Sequence, residues 1–127
     1  MDALPLAGQM THHGVDKETG KPVYVSDSAA TGTAWATGVK TYSGAVGVDR
    51  HDRPRQSILK FAKQTGRATG NVTTSEIQDA TPAVLIANIT SRACAGPEAT
   101  SERCSSEASR TAAWARPPSS SWTPAPT

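Results

Sequence analysis

The segment 111–127, TAAWARPPSSSWTPAPT, is the part of this chain that most constrains its fold. It contains four of the nine prolines and two of the three tryptophans, but no Ile, Leu, Val, Met or Phe. Proline cannot donate a backbone hydrogen bond, and a segment with almost no aliphatic surface cannot offset the entropy cost of ordering its backbone. We therefore expect folding to be confined to residues 1–110 and expect 111–127 to be a disordered, Pro/Ser/Thr-rich tail.

The chain as a whole is poor in large apolar side chains. One Phe, two Tyr and three Trp supply all the large aromatic rings, and hydrophobic residues make up 36% of the 127 residues. A domain of this length buries about two-thirds of the surface that its unfolded chain exposes. The composition therefore predicts a thin and incomplete core.

The charge balance excludes two classes of partner. Thirteen Lys and Arg against eleven Asp and Glu give a net charge of +2, which is too weak a field to favour nucleic acid or an anionic membrane. The N-terminal residues have no basic region, and no apolar run approaches the ~18 residues that a membrane span requires. We therefore expect no nucleic-acid partner, no membrane association and no signal peptide in this chain.

Short strands and helices alternate along the sequence, which is typical of an α/β fold with a parallel sheet. The most strongly predicted helix is 56–64, where apolar side chains recur at helical spacing, with Pro54 suited to its first turn and Gly66 to its C-terminal cap. The other predicted elements are a strand end at 21–25, a helix after Ser28 that ends at Gly38 or Gly44, a buried strand at 68–73, and a helix that starts within 79–82 with Pro82 in its first position. Because parallel strands need helices on both faces, so few elements predict an incomplete sheet with flanking helices.

Ser28 lies at the predicted junction of a strand and a helix. Free backbone N–H groups and the positive end of the helix dipole stabilise an alkoxide or a phosphate oxygen at such a position, which suits a nucleophile. Asp and Ser are also the residues that most often cap helices, so Asp27 or Ser28 could equally serve as the N-cap. Position alone does not separate these two roles.

Asp79, Thr81 and Arg92 form a second set of candidates. The carboxylate of Asp79 and the hydroxyl of Thr81, two residues apart, would project to one side of an extended segment and suit a hard cation such as Mg²⁺. Asp79 could instead cap the helix that contains Pro82. Arg92, just beyond that helix, could grip a phosphate or only interact with the helix dipole.

Cysteines and histidines are few. Cys94 and Cys104 could close a small loop in an oxidising compartment, but two cysteines do not make a metal site. The three histidines, His12, His13 and His51, are too few and too scattered for a zinc site and are interpreted as surface residues.

Several short segments of the chain form one pattern. They are DSAA at 27–30, TAWATGVKT at 33–41, GNV at 70–72, QDATPA at 78–83, and TSR at 90–92 with the two cysteines. Together they resemble one family, the bacterial alkaline phosphatases, and the resemblance runs from about Leu4 to Cys104. It implies that 1–110 is part of the α/β core of that family, with the parallel sheet and helices incomplete.

The resemblance also implies a role for each candidate residue. Ser28 corresponds to the nucleophile that becomes phosphoserine, Arg92 to the arginine that grips two phosphoryl oxygens, and Asp27 to the carboxylate that orients that arginine. Asp79 and Thr81 correspond to magnesium ligands.

For the intact enzyme, the resemblance implies two zinc ions and one magnesium ion, with a zinc contact at Ser28. It also implies phosphate monoester substrates, a homodimer, a periplasmic or secreted location, and a disulfide between Cys94 and Cys104. The chain departs from the family pattern in its metal ligands, since the upstream Gly-Asp-Gly segment and the downstream Asp, His and Glu zinc ligands are absent. We therefore expect incomplete metal sites and no activity from this chain alone.

The tail departs from the family as well. A GC-rich choice of codons for 111–127, read from its third base, encodes GGLGATTEQLVDARAD, which is similar to a segment that the family carries after its second cysteine. This compatibility predicts a frame slip between Cys104 and Thr111. Two hypotheses compete with the enzyme interpretation: a non-catalytic α/β fragment that binds phosphate or Mg²⁺ weakly, and an interaction module that acts through the tail.

Overall fold

The computed structural model describes residues 8–95. Two short strands, β1 (Gly14–Val15) and β2 (Pro22–Val23), pair antiparallel, with Gly14 opposite Val23. Three helices follow, and a 3₁₀ helix closes the described part. They are α1 (Ser28–Thr37), α2 (Ile58–Gln64), α3 (Ala80–Ala83) and the 3₁₀ helix Arg92–Ala95.

The helix α1 confirms the predicted start and end. The Asp27 side chain accepts a hydrogen bond from the Ala30 N–H and forms the N-cap, while Gly38 at φ +75° ends the helix and donates its N–H to Ala34. Most of the side chains of α1 are small, so neighbouring segments approach its backbone closely. A Cβ atom at Gly32 would lie 3.1 Å from both methyl groups of Val84, which shows how tightly the segment after α3 packs against α1.

The core lies between α1, α3 and the segments that lead to the 3₁₀ helix. Small and β-branched side chains fill it; they are Ala29, Ala36, Val46, Ala80, Ala83, Val84 and Ile89. An isolated antiparallel bridge joins Val46 to Ile89, with hydrogen bonds in both directions. This bridge holds the segment after α1 beside the segment that leads to Arg92.

The other two predicted helices are present with shifted details. Helix α2 starts at Ile58 because Ser57 caps it, and Pro54 forms an isolated bridge with Val48 instead of entering the first turn. Helix α3 starts after Asp79, so Pro82 is its third residue and not its first. Pro82 is tolerated there because the first-turn N–H groups of a helix have no intrahelical partner.

The predicted buried strand at 68–73 is wrong. These residues form no strand, most of them are exposed, and the side chain of Val72 is 98% exposed. An extended segment becomes a strand only when a neighbouring strand pairs with its backbone, and residues 68–73 have no such neighbour in the described part. The parallel sheet is accordingly not confirmed, since the one strand pair found within 8–95 is antiparallel.

Several predictions fall outside the described residues. These are the position of Cys104, the boundary at residue 110 and the tail 111–127. Within 8–95, no helix has the length and apolar character needed to cross a membrane.

Candidate functional site

The N-terminus of α1 supplies the first two residues of the site. Ser28 is the first residue of the helix and is exposed, while Asp27 caps it. Both oxygens of the Asp27 carboxylate are engaged: Oδ1 accepts from the Ala30 N–H and Oδ2 from the Gly44 N–H, each at 2.9 Å. The two roles that the sequence left open are thus divided, because Asp27 forms the cap and leaves the Ser28 hydroxyl at the positive end of the helix.

Arg92 reaches this hydroxyl from the 3₁₀ helix. Its Nη1 donates to Ser28 Oγ at 2.7 Å and lies 3.7 Å from Asp27 Oδ2. Its Nη2 donates to Asp79 Oδ1, also at 2.7 Å. The structure therefore brings together four of the predicted site residues, Ser28, Asp27, Arg92 and Asp79, around one guanidinium group.

The backbone of Gly44 links the two halves of this cluster. Its N–H donates to the Asp27 carboxylate, and its carbonyl accepts the backbone N–H of Arg92 at 2.7 Å. Gly44 adopts φ +88°, a left-handed conformation that glycine tolerates best. From the sequence, Gly44 is predicted only as a possible helix end. The signal for its role at the site is a glycine shortly after a capped helix, where a tight turn brings the backbone back toward the cap.

Tyr42 contacts the backbone two residues before Arg92. Its hydroxyl donates to Asp52 Oδ1 and lies 3.1 Å from the carbonyl oxygen of Thr90. The ammonium group of Lys17 pairs with Asp52 and lies 4.4 Å from the centre of the Tyr42 ring, where a cation is attracted by the ring face. Burial alone would raise the pKa of Asp52, but the hydrogen bonds from Lys17 and Tyr42 outweigh it and hold that pKa below its usual value.

A polar cavity of about 570 Å³ opens beside Arg92. Its lining comes from the segment before α3, from the start of α3 and from the arginine; the residues are Thr74, Ser75, Glu76, Gln78, Asp79, Ala80 and Arg92. Thr81 is exposed and is not among them. The cavity places carboxylate, hydroxyl and amide groups next to the guanidinium, so an anion that reaches Arg92 enters through polar surface.

The described residues do not assemble a metal centre. No group of three or more His, Cys, Asp or Glu residues lies close enough within 8–95 to hold an ion. A catalytic zinc needs about three protein ligands, so the residues present do not fit zinc. For magnesium, Asp79 and Thr81 offer oxygens of the right kind, but they include one carboxylate, and its Oδ1 already accepts from Arg92 and from the Ala80 N–H.

The remaining candidates lie away from this cluster or outside the description. His12 and His51 are exposed and His13 is partly exposed. Cys94 belongs to the 3₁₀ helix that carries Arg92 and packs against the core. Its predicted partner, Cys104, lies outside the described residues, so the pairing stays a prediction.

Comparison with known proteins shows what this chain is similar to. The family model for alkaline phosphatase matches residues 1–114. The alkaline phosphatase of Escherichia coli K12 is 64% identical over 104 residues, which are 82% of this chain and 22% of that protein. This chain therefore spans about a fifth of the length of that relative.

Solved structures show the same similarity. A cold-active alkaline phosphatase from Shewanella sp. has a TM-score of 0.61 and 32% identity over 84% of this chain and 30% of that one. A variant of the TAB5 alkaline phosphatase, solved with Mg bound, has a TM-score of 0.55 and 41% identity over 56% of this chain and 20% of that one. These matches support an alkaline-phosphatase-like fold for the region that they cover.

Proposed function

Because the chain belongs to the alkaline phosphatase family, we propose that its site hydrolyses phosphate monoesters through a phosphoserine at Ser28 when it forms part of a complete family protein. The observation that carries this proposal is the 2.7 Å hydrogen bond from Arg92 Nη1 to Ser28 Oγ. A nucleophilic hydroxyl within hydrogen-bond reach of a guanidinium is the arrangement that phosphoryl transfer needs, since the arginine can hold the group that the hydroxyl attacks.

In this proposal the reaction has two displacements at phosphorus. The Ser28 oxygen forms a bond to phosphorus as its proton departs, the bond to the ester oxygen breaks, and the alcohol leaves with a proton. Water then attacks the phosphoserine, the bond between Ser28 Oγ and phosphorus breaks, and inorganic phosphate is released. Arg92 and the N-terminus of α1 stabilise the phosphoryl oxygens in both displacements, and Asp27 limits the orientations that Arg92 can take.

The metal requirements are part of the proposal. The family implies metal cofactors, and we assign Asp79 and Thr81 to the magnesium site of the complete protein. A divalent cation supplies positive charge that stabilises the phosphoryl group in the transition state. The zinc contact that the resemblance implies at Ser28 requires ligands that residues 8–95 do not supply.

For the 127-residue chain alone, we propose phosphate binding without turnover. The absence of a three-ligand metal group within the described part favours this second function, while Arg92 and the start of α1 supply positive charge that attracts an anion. We also propose a periplasmic or secreted location for the parent protein and dimerisation of the intact enzyme only. A Cys94–Cys104 disulfide would suit that location.

The test of the proposed function uses a chimera. The matching 104 residues of the E. coli K12 protein are replaced by those of this chain, and hydrolysis of p-nitrophenyl phosphate is measured with zinc and magnesium present. We expect turnover and a phosphorylated Ser28 in acid-quenched samples by mass spectrometry. Ser28→Ala should abolish both, whereas Ser26→Ala, which removes a hydroxyl two residues away, should keep both.

Two different results would contradict the two proposed functions. Turnover that survives Ser28→Ala would refute the assignment of the nucleophile. The 127-residue chain itself should give no metal-stimulated hydrolysis above the rate of its own Ser28→Ala variant, and a rate that zinc raises and Ser28→Ala removes would refute the non-catalytic assignment.

A further inference from the structure

Asp79 accepts a hydrogen bond from Arg92, the residue that would bind a phosphoryl group in the proposed function. Nη2 of Arg92 donates to Asp79 Oδ1 and Nη1 donates to Ser28 Oγ, both at 2.7 Å. Arginine binds phosphate most strongly when two of its N–H groups donate to two oxygens in parallel. A phosphoryl group placed next to Ser28 therefore meets a guanidinium whose second terminal nitrogen already donates one of its two N–H groups to a carboxylate.

The Asp27 carboxylate does not compete in the same way. It lies 3.7 Å from Nη1, and two backbone N–H groups, those of Ala30 and Gly44, fix its oxygens. Asp27 thus lies beside Arg92 without a close hydrogen bond to it, whereas Asp79 makes a direct ion pair. The direct pair is the contact that an incoming anion must share or displace.

Solvent reaches the Arg92–Asp79 pair. The two side chains are 39% and 42% exposed, and both line the polar cavity. An ion pair with this exposure is worth little to stability, because water screens it and competes for its hydrogen bonds. The carboxylate still repels a phosphate oxygen at the same guanidinium, since like charges a few ångströms apart disfavour each other.

We propose that Asp79 determines the phosphate affinity of this site by competing with the phosphoryl group for Arg92. The inference rests on the proposed function, in which Arg92 is the phosphate-binding group, and it goes further by assigning to Asp79 a role that needs no metal ion. The Asp79 carboxylate accepts an N–H group of Arg92 that a phosphoryl oxygen would otherwise use. Loss of its charge should make the chain a better anion binder.

The substitution Asp79→Asn separates this role from the structural one. Asp79 caps α3 through a hydrogen bond from the Ala80 N–H to Oδ1, and asparagine caps helices about as well as aspartate. Asp79→Ser is a second variant that also keeps a capping oxygen and removes the charge. Glu76→Gln is the matched control, because Glu76 lines the same cavity but accepts its hydrogen bond from Gln78.

The experiment is a calorimetric titration of the full 127-residue chain with inorganic phosphate in EDTA. We expect Asp79→Asn to bind phosphate about tenfold more tightly than the wild type, and Glu76→Gln to change affinity by less than about twofold. Circular dichroism of each variant confirms that it is folded, and Asp79→Ser replaces Asp79→Asn if the latter is not.

Each outcome decides one point. An unchanged or lower affinity in folded Asp79→Asn, or no detectable binding by both the wild type and this variant, overturns the competition. An equal gain in Glu76→Gln overturns it too, because the effect would then be general to negative charge in the cavity. If Arg92→Ala binds phosphate as well as the wild type does, the proposed role of Arg92 in the function itself fails, which is a separate result.

Discussion

Arg92 Nη1 lies 2.7 Å from Ser28 Oγ, although 64 residues separate the two along the chain. The contact depends on a backbone connection through Gly44, which holds Asp27 with its N–H and the Arg92 backbone with its carbonyl. The backbone of one glycine residue therefore connects the start of α1 to the segment that carries the arginine.

The first prediction concerns this connection. Gly44→Ala should lower the free energy of unfolding by about 1 kcal/mol, because alanine is strained at φ +88° while no atom within 4 Å would contact its Cβ. Relief of this strain shifts the Gly44 peptide, so phosphate affinity in EDTA should fall as well. Urea unfolding and calorimetric titration measure the two effects.

Gly38→Ala is the matched control for Gly44→Ala. Gly38 has φ +75° and equally open surroundings, so its substitution should cost a similar amount of stability. Gly38 lies at the C-terminal end of α1, whereas the guanidinium contacts Ser28 at the N-terminal end. Its substitution should therefore leave phosphate affinity unchanged. Parallel losses of affinity in the two variants would show that Gly44 contributes only through general stability.

How much of the site could be predicted from the sequence depends on the range of the interactions. The capping of α1 by Asp27 and of α3 by Asp79 is local, and the cap residues and the small or Pro-containing segments after them indicated both helix starts. The clustering of Arg92 with Ser28 and Asp79 is a tertiary contact, and no periodicity within the chain predicts it. The family resemblance did imply that Ser28 and Arg92 lie close together, because it assigns both residues to one active site.

The predicted strand at 68–73 is wrong because a strand, too, depends on distant parts of the chain. Its β-branched and small residues indicate a buried strand, but burial requires neighbouring strands, and the described part of the chain provides none beside Val72. The role of Tyr42 could not be predicted from the sequence for a similar reason. Its contacts with Asp52 and Thr90 join segments 10 and 48 residues away, and local pattern carries no information on them.

The second prediction separates the two functions of Asp27. Asp27→Asn keeps an oxygen to cap α1 but loses the acceptor for the Gly44 N–H, so it should cost about 1 kcal/mol of unfolding free energy. Asp27→Ala loses both contacts and should cost about 2 kcal/mol. Urea unfolding followed by helical circular dichroism measures the difference, and equal costs for the two variants would show that the Gly44 hydrogen bond, not the cap, accounts for the effect.

The third prediction concerns Cys94 and Cys104, which the family resemblance pairs. In chain isolated from an oxidising compartment, we expect neither thiol to react with iodoacetamide until a reductant is added. The bridge closes a short loop, so its reduction should lower the unfolding free energy by roughly 2 to 3 kcal/mol. Mass spectrometry after alkylation checks the pairing, and two freely alkylated cysteines in the folded, oxidised chain would contradict it.

The last prediction concerns the pH dependence of stability through Asp49. Its side chain is buried, with Oδ1 accepting the backbone N–H groups of His51 and Arg53, and Oδ2 accepting from the Arg53 and Arg55 guanidinium groups. Burial alone would raise the pKa of Asp49, but these hydrogen bonds outweigh it and hold that pKa well below its usual range. The folded state therefore favours the ionised carboxylate.

A depressed pKa in the folded state fixes the sign of the effect. The contribution of Asp49 is fully present above the unfolded-state pKa of about 4 and is lost as the pH falls from there toward the folded-state pKa. Asp49→Asn should cost about 2 kcal/mol near pH 6, because the charge-assisted hydrogen bonds to the two arginines are lost. Urea unfolding of both proteins between pH 6 and pH 2 should show the wild-type advantage shrinking below about pH 4. Other carboxylates titrate equally in the two proteins, so an advantage that stayed constant down to pH 2 would mean that the Asp49 carboxylate contributes nothing through its charge.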